Sequence, residues 1–370
     1  MNSFDLKCHP HRRFNPLRRE WVLVSPHRTQ RPWRGQMETA GSGAAVKFDP
    51  GCYLCPGNIR ARGARNPVYQ ETFVFENDFA ALREDTPEGK FREGELLLAE
   101  SEKGRCRVVC FSPRHDLTLA RMDVRAIQSV VDAWCDEFKE LGGQPSIQSV
   151  QIFENRGSVI GCSNPHPHGQ IWANETVPDE LAREVLAFRE YLQVHQTTML
   201  GHYLGLELEK RERLVCVNNH FVALVPFWAV WPFETLLISR SPVPSLLDLC
   251  AEERAGLAKI LKQITVRYDN LFEAPFPYTM GFHQAPTDGR MHPDFHFHLH
   301  LYPPLLRGAA VKKFMVGYEM LAMPQRDITA EDAARRLREV SSNHYGERGV
   351  EGPSGEFLGH PLKQSDGGTQ

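Results

Sequence analysis

The chain has 370 residues, 41% of them hydrophobic and 24% charged, which excludes a fibrous or wholly disordered protein and leaves length for two units with a sizeable core. With 43 basic against 46 acidic side chains the formal net charge is −3. That gives no basic field for nucleic acid and no basic amphipathic stretch for a membrane surface, so an anionic ligand must be caught by a local cluster.

Nine cysteines at irregular spacing read as reduced thiols open to metal binding, and residues 1–14 carry no apolar leader, so a cytoplasmic address is expected. Residues 34–51 are rich in Gly, Ala and small polar side chains and read as a loop. Cys52-Tyr-Leu-Cys55 follows, and such a pair turns two thiolates toward one point, which is half of a tetrahedral zinc site. No second Cys-x-x-Cys exists, so the missing ligands have to be histidines, with His115 and His166 as candidates. Two incidental thiols in a turn are the bland alternative.

Strands are expected at 71–78 and 105–111, separated by a charged, exposed stretch over 83–104. A helix over 123–141 follows, with Ile127, Val130, Val131, Trp134, Phe138 and Leu141 at helical spacing, and strands at 148–154 and 169–173 complete the series. Before the last of these runs Asn164-Pro-His166-Pro-His168-Gly-Gln170. On an extended chain His166, His168 and Gln170 share one face. Proline on both sides of His166 removes ladder donors, so this is no central strand. If His166 completes a metal site, His168 is held for attack. A neutral imidazole is a good nucleophile toward phosphorus, and the labile phosphorus–nitrogen bond lets a second phosphate displace it. Gln170 and the backbone amides near Gly161 and Ser163 are placed to donate to a phosphoryl oxygen. This suits nucleotidyl transfer better than hydrolysis.

The same order then returns: strands at 221–225 and 235–239, a helix over 251–271, strands at 278–282 and 295–301. The longest apolar stretch, 221–238, is broken by Pro226, Pro232 and Glu234 and reads as buried strand and turn. The closing segments carry His166/His168 and His298/His300. The offsets are 130 residues from Val131 to Leu261 and 132 from His168 to His300. We therefore expect an α+β fold of two duplicated units, each an antiparallel sheet with one long crossover helix. His296, His298 and His300 alternate onto one strand face, with His283 nearby, and suggest a second metal or a polar wall of the first site. Lys312 and Lys313 precede Phe314, Tyr318 and Glu319, and with Arg28 and Arg31 they suit phosphate and base. The Gly- and Ser-rich stretch 346–370 reads as a disordered tail.

Taken together, the chain closely resembles the galactose-1-phosphate uridylyltransferase family, the nucleotidyl-transfer branch of the histidine-triad superfamily. The likeness runs over about 9–344. It is carried by His11-Arg-Arg-Phe-Asn-Pro-Leu17, Trp21-Val-Leu-Val-Ser-Pro-His-Arg28, Phe153-Glu-Asn155, Gly161-Cys-Ser-Asn-Pro-His-Pro-His-Gly-Gln170, Arg267-Tyr-Asp-Asn-Leu-Phe272 and Lys313-Phe-Met-Val-Gly-Tyr-Glu-Met-Leu-Ala322. The resemblance implies a half-barrel of two histidine-triad-like units, 1–195 with zinc site and nucleophile and 196–345 with a second metal site.

It also implies a ping-pong reaction. UDP-glucose gives its uridylyl group to His168 and releases glucose 1-phosphate, and galactose 1-phosphate then takes the group as UDP-galactose. Gln170 and Ser163 would hold phosphoryl oxygens. Zinc would fall to Cys52, Cys55, His115 and His166, and iron or zinc to Glu184, His283, His298 and His300. Arg28, Arg31, Asn77, Asp78, Asn155 and Gly161 are implied nucleotide contacts. Lys313, Phe314, Val316, Tyr318, Glu319 and Gln325 are implied sugar-phosphate contacts reaching the neighbour in a homodimer.

The chain departs from the family pattern in three places. Asp294-Phe-His-Phe-His-Leu-His300 replaces His-Trp-Gln-Leu-His-Ala-His, which adds His296 as a further candidate ligand. Gln284 stands where Gly is usual after His283, and Arg156 where Lys is common. The alternatives are a dinucleoside polyphosphate phosphorylase or hydrolase, and a zinc-stabilised UDP-sugar-binding module without turnover. The Cys52/Cys55 pair and the 313–322 match speak against the first.

Overall fold

The structure, a computed structural model, describes residues 4–30, 46–308 and 311–347. The expectations for Arg31, for the loop between 34 and 45, and for the tail beyond 347 lie outside the described residues.

The centre of the molecule is one nine-stranded sheet. In chain order its strands are β1 (Phe73–Glu76), β2 (Gly104–Cys110), β3 (Ser149–Arg156), β4 (His168–Asn174), β5 (Leu214–Val217), β6 (Phe221–Leu224), β7 (Thr235–Ser239), β8 (Tyr278–His283) and β9 (His298–Tyr302). They lie in the order β1-β2-β4-β3-β8-β9-β7-β6-β5, antiparallel throughout. Helix α1 (Val124–Gly142) joins β2 to β3, α2 (Asp179–His195) and α3 (Met199–Lys210) join β4 to β5, and α4 (Ala251–Phe272) joins β7 to β8.

The duplicated α+β architecture is visible in the register. At the seam, Phe153 of β3 pairs with Gly281 of β8. Moving outward, each side runs through the strand after the helix, the closing strand, the strand before the helix, and the opening strand. His168 pairs with Cys110 as His298 pairs with Ile238. Each ring also sets Nδ1 at 2.7 Å from the carbonyl two residues back, His166 O and His296 O. His168 therefore corresponds to His298, 130 residues on, and Gln170 to His300. The 132-residue offset paired the wrong histidines. Its cause is local: the strand expected from 295 starts only at His298, because Phe297 bonds Val243 and Ser239 outside the ladder.

Both crossover helices lie on one face of the sheet and touch each other. Asp123 caps α1 by accepting from the Ala126 N–H at 2.8 Å, and Glu253 reaches back to the Cys250 N–H at 2.9 Å at the start of α4. Trp134, Phe138, Leu261 and Ile264 pack there with Ile152, Ile171, Leu237 and Leu299 in one core. Truncating Trp134 would cost about 3–5 kcal/mol. The opposite face differs between the halves. Over β6, β7 and β9 it is sealed by α2 and α3, whose Leu181, Phe188, Leu200 and Leu204 meet Val222, Leu236 and Ile238. Over β3 and β4 it stays open, while Leu54 and Tyr69 pack over Val108 and Cys110 of β2. Among the described residues no helix is long and apolar enough to cross a membrane.

Candidate active site and two candidate metal centres

The Cys52–Cys55 turn is closed by the Cys55 N–H donating to Cys52 O at 3.2 Å, and both cysteines are buried. His115 Nδ1 and His166 Nδ1 each lie 3.6 Å from Cys55 Sγ, and the four donor atoms all lie within 4.8 Å of one another. His166 Nε2 donates to Ser112 O at 2.9 Å, which leaves Nδ1 with its lone pair toward the thiols. The Asn164 amide touches Cys52 Sγ and its Oδ1 accepts the His166 N–H at 3.0 Å. Burial pushes the Cys55 thiol up to about 11 and the His166 ring down to about 4. A neutral imidazole and a thiol that ionises only with a cation beside it, with Cys52 and His115 completing the four, are a donor set suited to a metal.

His168 opens β4. Its Nδ1–H donates to His166 O at 2.7 Å, and among the described residues nothing bonds Nε2. Burial lowers the ring's pKa, against the raising pull of that carbonyl, so the ring stays neutral at pH 7. It borders a cleft of about 270 Å³ on the open face, together with Gly161, Ser163, Gln170, Asn155, Asn77 and Asp78. The structure thus brings those expected residues together. Gln170 Oε1 accepts from the Trp172 indole at 3.1 Å and Asn155 Oδ1 from the Thr279 hydroxyl at 2.9 Å, so both amides are oriented. A Cβ at Gly169 would sit 2.9 Å from both Phe111 Cζ and Phe153 O, so only glycine lets β4 lie this close. Phe75, Phe79, Val108, Ala61 and Tyr53 form the apolar remainder, with the Arg60 guanidinium 4.2 Å over Phe75. Sequence reasoning missed these walls; the only available signal was the aromatic alternation of Phe73 and Phe75 beside Asn77.

The second group gathers Glu184 from α2, His283 from the end of β8, and His298 and His300 from β9. His283 Nδ1 lies 2.8 Å from Glu184 Oε2, His298 Nε2 3.5 Å from the same oxygen, and His300 Nε2 3.7 Å from Oε1. His298 Nε2 and both nitrogens of His300 are buried with no hydrogen-bond partner, as ligand atoms awaiting a cation would be. Burial opposes the Glu184 charge, but the His283 and His298 rings outweigh it and hold the carboxyl well below its usual range. His296 stands apart. Its Nε2 donates to Ser239 O at 2.7 Å and its Nδ1 meets the Thr198 hydroxyl at 3.3 Å, so the face expected for it is not shared.

The basic segment forms a separate cavity of about 250 Å³ that shares no residue with the His168 cleft. Lys313, Phe314, Val316 and Glu319 line it, and so does Arg28, expected among the nucleotide contacts. Lys313 bonds Glu319 and the Gln325 carbonyl, while Arg28 and Gln325 both bond Asp327. Tyr318 is exposed beside them.

Comparison with known proteins gives the family. The N-terminal domain of the galactose-1-phosphate uridyl transferase family matches residues 2–178, and its C-terminal domain matches 184–349. The galactose-1-phosphate uridylyltransferase of Haemophilus influenzae is 52% identical over 345 residues, covering 93% of this chain and 98% of the relative. That of Rattus norvegicus is 48% identical, covering 93% and 91%. A solved uridylyltransferase structure superposes with TM-score 0.70 at 26% identity over 88% of this chain and 97% of its own. The chain belongs to the galactose-1-phosphate uridyl transferase family.

Proposed function

We propose that this member of the family transfers a uridylyl group between UDP-glucose and galactose 1-phosphate through His168. The carrying observation is the 2.7 Å bond from His168 Nδ1–H to His166 O, which fixes the tautomer and leaves the Nε2 lone pair at the cleft. Nε2 attacks the α-phosphorus of UDP-glucose. An N–P bond forms, the P–O bond to the β-phosphate breaks, and glucose 1-phosphate leaves with the electron pair. A phosphate oxygen of galactose 1-phosphate then attacks the same phosphorus, the N–P bond breaks, and Nε2 regains its lone pair. Throughout, Nδ1–H stays on His166 O, which shares the positive charge the ring acquires. Gln170 and Ser163 hold phosphoryl oxygens, and the apolar cleft wall with Asn77, Asp78 and Asn155 takes the nucleoside.

Cys52, Cys55, His115 and His166 would hold zinc, a closed set of two thiolates and two imidazoles that anchors the residue preceding the nucleophile. Glu184, His283, His298 and His300 would hold iron or zinc. The Arg28–Lys313 cavity, separate from the cleft within one chain, fits a cytoplasmic homodimer in which each copy's 313–325 segment completes its neighbour's site. The two units, 1–195 and 196–345, then divide reaction and support.

Incubation with UDP-glucose labelled in the uracil ring, without acceptor, tests this. The expected result is stoichiometric acid-labile label on His168, discharged by galactose 1-phosphate. Label discharged by water alone would make the chain a hydrolase, and no label with UDP-sugar binding intact would remove the nucleophile.

A further inference from the structure

The largest cavity described, about 570 Å³, has not been assigned a role. Its inner wall is Glu184, His283 and His300, and its outer wall includes Arg18, Glu20 and Glu180. Exposure falls along that path. The side chains of Arg18, Glu20 and Glu180 are 42%, 32% and 48% exposed, whereas Glu184 and His300 retain 3% and 6%. Arg18 bridges the outer acids, with Nε 3.1 Å from Glu20 and Nη2 3.2 Å from Glu180. Glu234 also lines the cavity, and its Oε2 accepts the N–H groups of Val230 and Trp231 at 2.6 and 3.0 Å. Five glutamates line the cavity against one guanidinium, and although Glu319 is paired with Lys313 and Glu180 also meets Arg183, the acids stay in excess, a field that draws cations inward. At the floor, the buried and unpartnered nitrogens of His300 await one. The other candidate centre is built differently: the cleft beside it touches Tyr53 and Leu54 but none of its four donors.

We propose that this cavity is the exchange route of a divalent cation to the Glu184 group and that Arg18, bridging Glu20 and Glu180, is its gate. The inference rests on the reading that the Glu184 group holds a metal. A positive charge at the mouth raises the barrier for a cation in both directions and leaves its coordination at the floor untouched. Rates therefore move while affinity does not.

The test uses the full chain loaded with zinc alone and challenged with a chromophoric chelator, with Glu184→Ala identifying which release phase belongs to the second group. Arg18→Ala should speed both uptake and release of that metal about fivefold, and Glu180→Gln should slow both by a similar factor, with Kd unchanged and the Cys52-group phase unmoved. Rates that stay in place in both variants, or rates that shift together with Kd, would overturn the gate. One zinc per wild-type chain that Glu184→Ala does not remove would overturn the metal reading itself, and the route with it.

Discussion

The two closing strands invite comparison residue by residue. In the first unit the outward face of β3 and β4 offers Asn155, His168 and Gln170. By the same register the second unit offers His283, His298 and His300. The backbone is repeated down to the Nδ1 bond of the leading histidine. What differs is the cover. The first face looks into an open cleft, whereas α2 and α3 close over the second and bring Glu184 against the three rings. An amide-flanked imidazole with a free lone pair can react. The same imidazole ringed by two others and a carboxylate can only coordinate. Chemistry here follows from which side chains surround a repeated histidine, and not from the histidine itself.

That contrast can be broken at its strongest point first. His168→Ala should abolish uridylyl labelling by at least about a thousandfold, while alanine at His298 should leave a labelled protein. Equal loss of label in both variants would erase the distinction. Next in size, Cys52→Ser with Cys55→Ser should remove one metal per chain and about 4 kcal/mol of stability, measured by metal analysis and urea unfolding. Unchanged metal content would sink that centre.

The seam between the units gives a smaller effect. Glu154 is buried there, accepting from Tyr278 Oη at 3.0 Å, and burial pushes its carboxyl up to about 7. The folded chain keeps this proton to about pH 7, whereas the unfolded chain releases it near 4.5, so stability present below pH 4.5 is lost as pH rises toward 7. Glu154→Gln should remove about 2 kcal/mol of that slope, compared at pH 5 and 7.5. An identical slope in wild type and variant would refute the assignment. Smallest, His300→Gln, which writes the first unit's residue into the second, should release the second metal yet slow turnover by less than about tenfold. A larger loss with metal retained would show that His300 serves the reaction.

Much of this was readable from residues alone. The repeated strand–helix order, the Cys52/Cys55 half site, and the shared face of His168 and Gln170 all have local causes: periodicity, turn geometry and proline placement. What could not be read depends on packing between distant segments. The apolar cleft wall of Phe75 and Val108 has the same composition as core. The apolar residues of α2 do not keep to one face, Leu186 and Val194 being exposed, so the helix that delivers Glu184 gives a weak periodic signal. His296 alternated correctly with His298, but its backbone leaves the ladder before β9 begins and its ring turns to Ser239. Arg28 is 299 residues from the Asp327 it bonds, a distance no local pattern spans.

The continuous ladder through the Phe153–Gly281 seam has one more consequence. Neither unit ends in a protected border there: each supplies its edge strand to the other as a cap. Separating the units would bare β3 over Phe153–Arg156, and a bare, register-matched strand seeks its like. An isolated first unit would meet a second copy of itself across that edge. Joining both units in one polypeptide makes the proper partner local, and so guards the molecule against self-assembly.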